Sequence, residues 1–110
     1  MADFKEFVTE IGTGIRELAQ KEISGFAEEA LNDSKSFITN SQSDFERWTQ
    51  KLQNGQLPAK DFASLLRGKK SLMEMKGLTR KGLADAKIDS LKNAIIDLII
   101  NKAIGMFLPK

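Results

Sequence analysis

The sequence predicts an all-α protein, folded as an antiparallel helical bundle of four helices. Apolar residues recur at helical spacing along most of the chain, and no stretch between turns shows the period-two alternation of a strand. A chain of 110 residues has the usual size of one domain, so we expect residues 1–110 to form a single helical-bundle domain. Charged residues make up 29% of the chain and hydrophobic residues 41%, which favours a folded protein over a disordered one.

The first predicted helix extends over residues 3–31. Between residues 4 and 19 the apolar side chains fall within about 120° of a helical wheel, which is the stripe of a surface helix. From residue 23 to residue 31 the apolar positions rotate by roughly a quarter turn, as they do when a straight helix meets a changing partner. A bend near Gly25 is compatible with this pattern.

The second predicted helix begins in the segment NDSKSF and ends at NGQLP, residues 54–58. The side-chain oxygen of Asp33 or Ser34 can accept a hydrogen bond from an unpaired backbone amide at a helix start. Gly55 can adopt a positive φ, and Pro58 suits the first turn of the next helix. The helix carries a narrow apolar seam, in which Trp48 is expected to pack: Ile38, Ser41, Phe45, Trp48 and Leu52.

The third predicted helix has one apolar stripe, composed of Phe62, Leu65, Leu66, Leu72 and Met73. We expect the alkyl stems of Lys69 and Lys76 to lie along it. The segment GLTRKG, residues 77–82, has a glycine at each end and predicts a break or kink before a fourth helix. However, apolar residues recur at a step of eleven from residue 62 to residue 95, which is close to three whole turns. Three helices, with a long and kinked C-terminal helix, is therefore the alternative.

The C-terminal helix carries two apolar stripes where a surface helix needs only one. The ordinary core stripe consists of Ala84, Ile88, Leu91, Ile95 and Leu98, and the second one contributes the candidate interaction surface: Ile96, Ile100, Ile104 and Phe107. The second stripe must be covered by the first helix, by another copy of the chain, by a protein partner or by a lipid interface. Asp97, Asn101 and Lys102 interrupt the apolar run, which argues against a transmembrane helix.

The composition also argues against catalysis, because the chain has no His, no Cys and no Tyr. Serine–histidine and cysteine–histidine nucleophiles are therefore excluded, as are imidazole and thiolate metal sites. The glycines match neither GxGxxG nor GxxxxGK[ST], the two phosphate-binding patterns. We expect no enzyme, no metal and no cofactor, and no feature indicates a small-molecule substrate; chemistry by carboxylates alone is the one catalytic route that the composition leaves open.

The charged residues are distributed unevenly along the chain. Residues 60–87 hold eight basic and three acidic residues, a net of plus five, whereas residues 1–33 hold three basic and eight acidic ones, a net of minus five. The candidate basic surface consists of Arg67, Lys69, Lys70, Lys76, Arg80 and Lys81. These side chains could contact an anionic surface or pair with the acidic first helix. Because residues 67–81 contain no aromatic residue to stack on a base, nucleic acid is disfavoured.

These features predict a small non-enzymatic interaction or structural module that acts through helix surfaces, by self-association or by contact with a protein partner. The alternative is a peripheral membrane protein, in which the basic surface meets acidic headgroups while the apolar C-terminal residues insert shallowly. The N-terminal segment MADFKEFVTE has no uninterrupted apolar run and predicts no secretory signal, so we expect a cytoplasmic protein.

Overall fold

The computed structural model describes residues 3–108, and all regular secondary structure among them is helical. The helices are α1 (Phe4–Glu22), α2 (Ala27–Asn40), α3 (Gln42–Gln53), α4 (Ala59–Gly68), the short α5 (Lys76–Arg80) and α6 (Asp85–Phe107), with a 3-10 turn at Lys69–Leu72. The predicted all-α class is therefore confirmed. The predicted count of four helices is wrong, since five helices of ten or more residues and one of five residues occur in the described range.

The chain breaks at residues 23–26, inside the first predicted helix. Gly25 has a φ of 95° there, in the left-handed region that glycine adopts without steric cost, so the expected bend is a full break. The segment NDSKSF, in contrast, does not start a helix, because it lies within α2. Asp33 and Ser34 do not cap α2: the hydroxyl of Ser34 donates to the carbonyl oxygen of Ala30, 2.7 Å away.

Helices α2 and α3 meet at a single residue, Ser41. Its amide donates to the carbonyl oxygen of Phe37 at 3.0 Å, and its own carbonyl oxygen accepts from the amide of Phe45 at 2.9 Å. Ser41 therefore closes the hydrogen bonds of α2 and opens those of α3, with no other residue between the two helices. As a result the predicted seam stays on the core side of both helices, with only Trp48 left half-buried.

The predicted boundary at residues 54–58 is confirmed, because α3 ends at Gln53 and α4 begins at Ala59. Gly55 adopts the expected positive φ, 75°. Pro58 is the N-cap of α4 rather than a residue of its first turn, and its carbonyl oxygen accepts from the amide of Phe62 at 3.0 Å.

The stripe predicted for the third helix is only partly buried. Helix α4 ends at Gly68, and the 3-10 turn that follows has three residues per turn, so it rotates the next side chains out of the α-helical register. Leu65 is 39% exposed and Leu72 is 62% exposed, while Phe62, Leu66 and Met73 are buried.

A break at residues 81–84 also separates α5 from α6, and it overlaps only the end of the glycine-flanked segment 77–82, whose residues 77–80 lie in α5. Gly82 has a φ of 88°, and Ala84, at the end of the loop, is exposed. The step of eleven residues from residue 62 to residue 95 therefore does not reflect one continuous helix. The alternative with three helices is wrong.

Helix α6 is the centre of the fold and contacts α1, α3, α4 and α5. Helix α1 runs antiparallel to it: the ring of Phe7 lies edge-on to that of Phe107, with centroids 5.3 Å apart, and Gly14 faces Leu98. A Cβ at Gly14 would lie 2.9 Å from a Leu98 methyl carbon, so the glycine permits this close approach. The buried apolar side chains form one cluster to which every α-helix contributes.

Candidate binding surface

The apolar C-terminal face predicted as an interaction surface lies inside the protein. Ile96, Ile100 and Phe107 are buried, and Ile104 is half-buried. Helix α6 contacts α1, α3 and α4, and α1, which is part of the predicted first helix, contributes to the cover of the second stripe through Phe7 and Phe107. These side chains therefore do not form a free surface in this structure.

The candidate basic surface is largely neutralised by carboxylates of the same chain. Four of its six residues form ion pairs: Lys69 with Asp44, Lys70 with Asp89 at 2.8 Å, Lys76 with Glu74 at 3.3 Å, and Lys81 with Glu29 at 3.4 Å. The expected pairing with the acidic N-terminal third occurs only at Glu29, which lies in α2, since the other carboxylates belong to α3, α6 and the loop before α5. The basic segment thus contacts three helices instead of presenting unpaired charge.

Lys69 is the most enclosed member of the basic surface. Its Nζ lies 5.5 Å from the centroid of the Trp48 ring and donates a hydrogen bond to Asp44, which also accepts one from Arg47 at 2.7 Å. The hydrogen bond from Lys69, followed by that from Arg47, holds the pKa of Asp44 below its ordinary value of 3.8. Trp48 therefore packs against the fold through a cation–π contact.

The Asp44 contacts predict a pH-dependent stability. A carboxyl whose pKa is lower in the folded state stabilises that state above its unfolded pKa, and the stabilisation is lost as the pH falls through the folded value. Asp44→Asn should therefore lower the melting temperature at pH 7, and the difference from the wild type should shrink below about pH 4. Thermal melts of both proteins from pH 7 to pH 2 measure this.

Asp97→Asn is the control for that series, because Asp97 is exposed and forms no ion pair within residues 3–108. Its effect on the melting temperature should be small at every pH. An Asp44→Asn deficit that is the same at pH 7 and pH 2 would contradict the role assigned to the carboxylate.

A groove with a cavity volume of about 570 Å³ lies between α1 and α2, and we call it the α1–α2 groove. It is lined by residues 8, 9, 12, 13 and 16 of α1 and by residues 31, 35, 38 and 39 of α2. Its apolar side chains are Val8, Leu31 and Ile38, and its charged ones are Arg16 and Lys35. Pockets that bind small molecules span about 300–1,000 Å³, so the groove has a suitable size.

Some polar groups of the α1–α2 groove have hydrogen-bond partners within the chain, and its two cations have no ion-pair partner among the described carboxylates. The hydroxyls of Thr9 and Thr13 donate to the carbonyl oxygens of Lys5 and Thr9, at 3.1 and 3.2 Å, so their hydrogens are engaged within α1. No Asp or Glu lines the groove. Arg16 and Lys35 are exposed and form no ion pair with the described carboxylates. The groove therefore has apolar walls and two cations without anionic partners.

Gly12 lines the groove from the interior of α1. A glycine in a helix interior costs about 0.5–1 kcal/mol relative to alanine. Gly12 is not at a positive φ, and a Cβ built on it would meet nothing within 4 Å, unlike one on Gly14. Neither the backbone nor the packing requires this glycine, and its missing side chain leaves the groove open.

Sequence reasoning did not find the α1–α2 groove. Its one local signal is Gly12, which shares a helix face with Val8 and Arg16, four residues away on either side. The partner helix could not be identified from α1 alone. The groove exists because the break at Gly25 folds α2 back against α1, and the sequence pattern suggested one helix through that position.

Within residues 3–108 there is no group of three or more His, Cys, Asp or Glu side chains that could hold a metal ion. In the same range, no helix combines the length and the hydropathy that crossing a bilayer requires. Comparisons with models of protein families, with curated proteins and with solved structures find no match for this chain. Any function must therefore be inferred from the surface itself.

Proposed function

We propose that the protein is a small, non-enzymatic helical-bundle module that acts by binding, and that the α1–α2 groove is its contact surface. The observation that carries this proposal is Gly12. A helix-destabilising residue that the fold does not need occupies the place where any side chain would narrow the groove. Gly68 and Gly105 are also helical glycines with nothing within 4 Å of the Cβ position, but neither lines the groove, so the support comes from the position of Gly12 at the open space.

The other two candidate surfaces support this choice, because one is buried in the fold and the other is largely paired with carboxylates of the chain. The second stripe of α6, which suggested self-association, is covered within the chain, so the proposal does not require a second copy. A peripheral membrane role would need Ile96, Ile100 and Phe107 to reach lipid, yet all three are buried. All four lysines of the basic surface that would meet acidic headgroups are paired with carboxylates of the chain.

An uncharged, environment-sensitive dye such as Nile red tests the binding role of the groove. Its fluorescence should increase when it is titrated with the wild-type chain, because the apolar walls shield it from water. Gly12→Leu places a side chain in the open space. It should lower the affinity for the dye by about tenfold or more, which corresponds to about 1.4 kcal/mol of lost binding free energy.

Gly105→Leu is the matched control for this titration. Gly105 is also a helical glycine with nothing within 4 Å of its Cβ position, but it lies in the last turn of α6, outside the groove. This variant should bind the dye as the wild type does. The proposal is wrong if the wild type does not bind the dye, or if Gly12→Leu binds it with wild-type affinity.

A further inference from the structure

We infer that the α1–α2 groove binds a free, single-chain carboxylate of the fatty-acid type, with its head at Arg16 and Lys35 and its alkyl chain along the apolar wall. This inference rests on the proposed function and specifies the class of ligand. It follows from three properties of the groove, which are its unpaired cations, its apolar side chains and its limited size.

The charge of the groove selects the head group. Arg16 comes from α1 and Lys35 from α2, so the two helices each supply one cation to the same groove. No carboxylate of the described chain lies within ion-pairing distance of either cation. A guanidinium binds a carboxylate through two parallel hydrogen bonds, and the lysine adds a third donor. An anionic head group therefore supplies the partner that the chain does not provide.

The remaining lining selects an apolar body. Val8 is half-buried and stands at the groove wall, and Leu31 and Ile38 close it from the opposite helix. The threonine hydroxyls of α1 already donate within the helix, so they offer no free hydrogen to a polar ligand. An alkyl chain in this groove removes apolar surface from water and leaves the hydrogen bonds of Thr9 and Thr13 intact.

The residues that line the groove do not suit a macromolecular partner. A docked helix needs apolar anchors at successive turns, whereas only three apolar side chains of the described residues line this groove: Val8, Leu31 and Ile38. Single-stranded nucleic acid needs aromatic platforms, and no aromatic residue lines the groove. One alkyl chain with one anionic head fits within the volume of about 570 Å³ and uses the two cations.

The test compares decanoate with the uncharged 1-decanol, in competition with Nile red and by calorimetric titration of the full chain. Decanoate, below its micelle concentration, should bind once per chain and displace the dye. Arg16→Gln combined with Lys35→Gln should lower the affinity for decanoate by about tenfold or more, while leaving the affinities for 1-decanol and for the dye unchanged. Gly12→Leu should lower the affinity for all three ligands.

Lys60→Gln combined with Arg67→Gln is the matched control, because it also removes one lysine and one arginine. Both residues are exposed on α4 and form no ion pair within residues 3–108. This variant has the same net charge as the Arg16 and Lys35 variant, so it should bind decanoate as the wild type does. Equal weakening by the two pairs would show a general charge effect and overturn the assigned head-group site.

The outcomes separate this inference from the proposed function. If the groove binds Nile red and Gly12→Leu abolishes that binding, but decanoate does not displace the dye, the ligand class is wrong and the binding function stands. If neither the dye nor decanoate binds, both the proposed function and the inferred ligand class are wrong. If anionic phosphatidylglycerol vesicles bind the chain through Arg16 and Lys35 but free decanoate does not, the site recognises a lipid surface and the inference is overturned.

Discussion

Ile100→Asp is expected to unfold the protein. Ile100 is 4% exposed in the centre of α6, and an aspartate there would bury a carboxylate without a partner or become protonated at a comparable cost. The substitution also removes packed methyl groups, which costs about 2–5 kcal/mol when a large apolar residue is truncated in a core. Proteins of this size have a total stability of about 5–15 kcal/mol, so these losses together can exceed it.

Far-UV circular dichroism and light scattering coupled to gel filtration measure the outcome for Ile100→Asp. Two variants calibrate it: Ile100→Val should cost only about 0.5–1.5 kcal/mol, and Ile104→Asp, one turn later and half-buried, should be better tolerated. If Ile100→Asp keeps its helical spectrum and instead reduces the mass of a wild-type oligomer, Ile100 lies between copies of the chain.

Asp33→Ala is expected to lower the free energy of unfolding by about 1–3 kcal/mol. The two carboxylate oxygens of Asp33, in α2, accept hydrogen bonds from the amides of Gly77 and Leu78, both at 3.0 Å. These amides lie in the first turn of α5 and have no partner within their own helix. The negative charge is also favoured by the dipole at a helix N-terminus. Asp33 is therefore a cap supplied by another helix.

The effect should extend beyond two hydrogen bonds, since α5 holds a core residue in place. Leu78 is fully buried, and the short α5 has few hydrogen bonds of its own to keep it helical. Gly77 fits this cap closely: a Cβ at that position would lie 2.9 Å from a carboxylate oxygen of Asp33. Loss of the carboxylate should therefore loosen α5 from α2.

Chemical denaturation measures the stability loss, and hydrogen exchange at the amides of Gly77 and Leu78 localises it. Asp33→Asn is the control, because its side chain keeps one acceptor oxygen but loses the charge and the second acceptor. Its stability should fall between those of the wild type and Asp33→Ala. Unchanged stability together with unchanged exchange at both amides would show that the cap does not hold α5.

Much of the helical structure was predictable because it depends on neighbours in the sequence. The boundary at residues 54–58 follows from Gly55 and Pro58, whose backbone preferences act locally. The seam from Ile38 to Leu52 was predicted even though Ser41 divides it, since a junction of one residue leaves the seam on the core side of both helices. A periodic pattern therefore survived a junction that the sequence did not reveal.

The predictions failed where local signals were ambiguous. Asp33 has the chemistry of a helix cap, but its sequence position does not tell which helix it caps, and the answer lies 44 residues further along the chain. Gly25 suggested only a bend within one helix, whereas the packing of α2 on α1 requires a break. Leu72 fitted an α-helical stripe that the 3-10 turn does not continue, whereas Leu65 is exposed within α4 itself.

The candidate sites also divide into features that the sequence revealed and features that depend on how the helices pack. Sequence reasoning identified the second stripe of α6 and the basic segment as features that needed partners, and the fold supplies most of those partners from within the chain. The α1–α2 groove gave no comparable signal, because Arg16 and Lys35 are nineteen residues apart and unremarkable on their own helices. Only their positions on two adjacent helices turn them into a candidate site.

By itself, the sequence determined the all-α class and most of the core faces, because helix propensity, periodicity and turn chemistry act over a few residues. It also determined which reactive side chains the protein lacks. The tertiary structure alone decided that α6 is enclosed on both faces, that Asp33 caps α5, and that α1 and α2 leave a groove at Gly12. These features depend on contacts between residues distant in the chain, and such contacts form only when the helices pack.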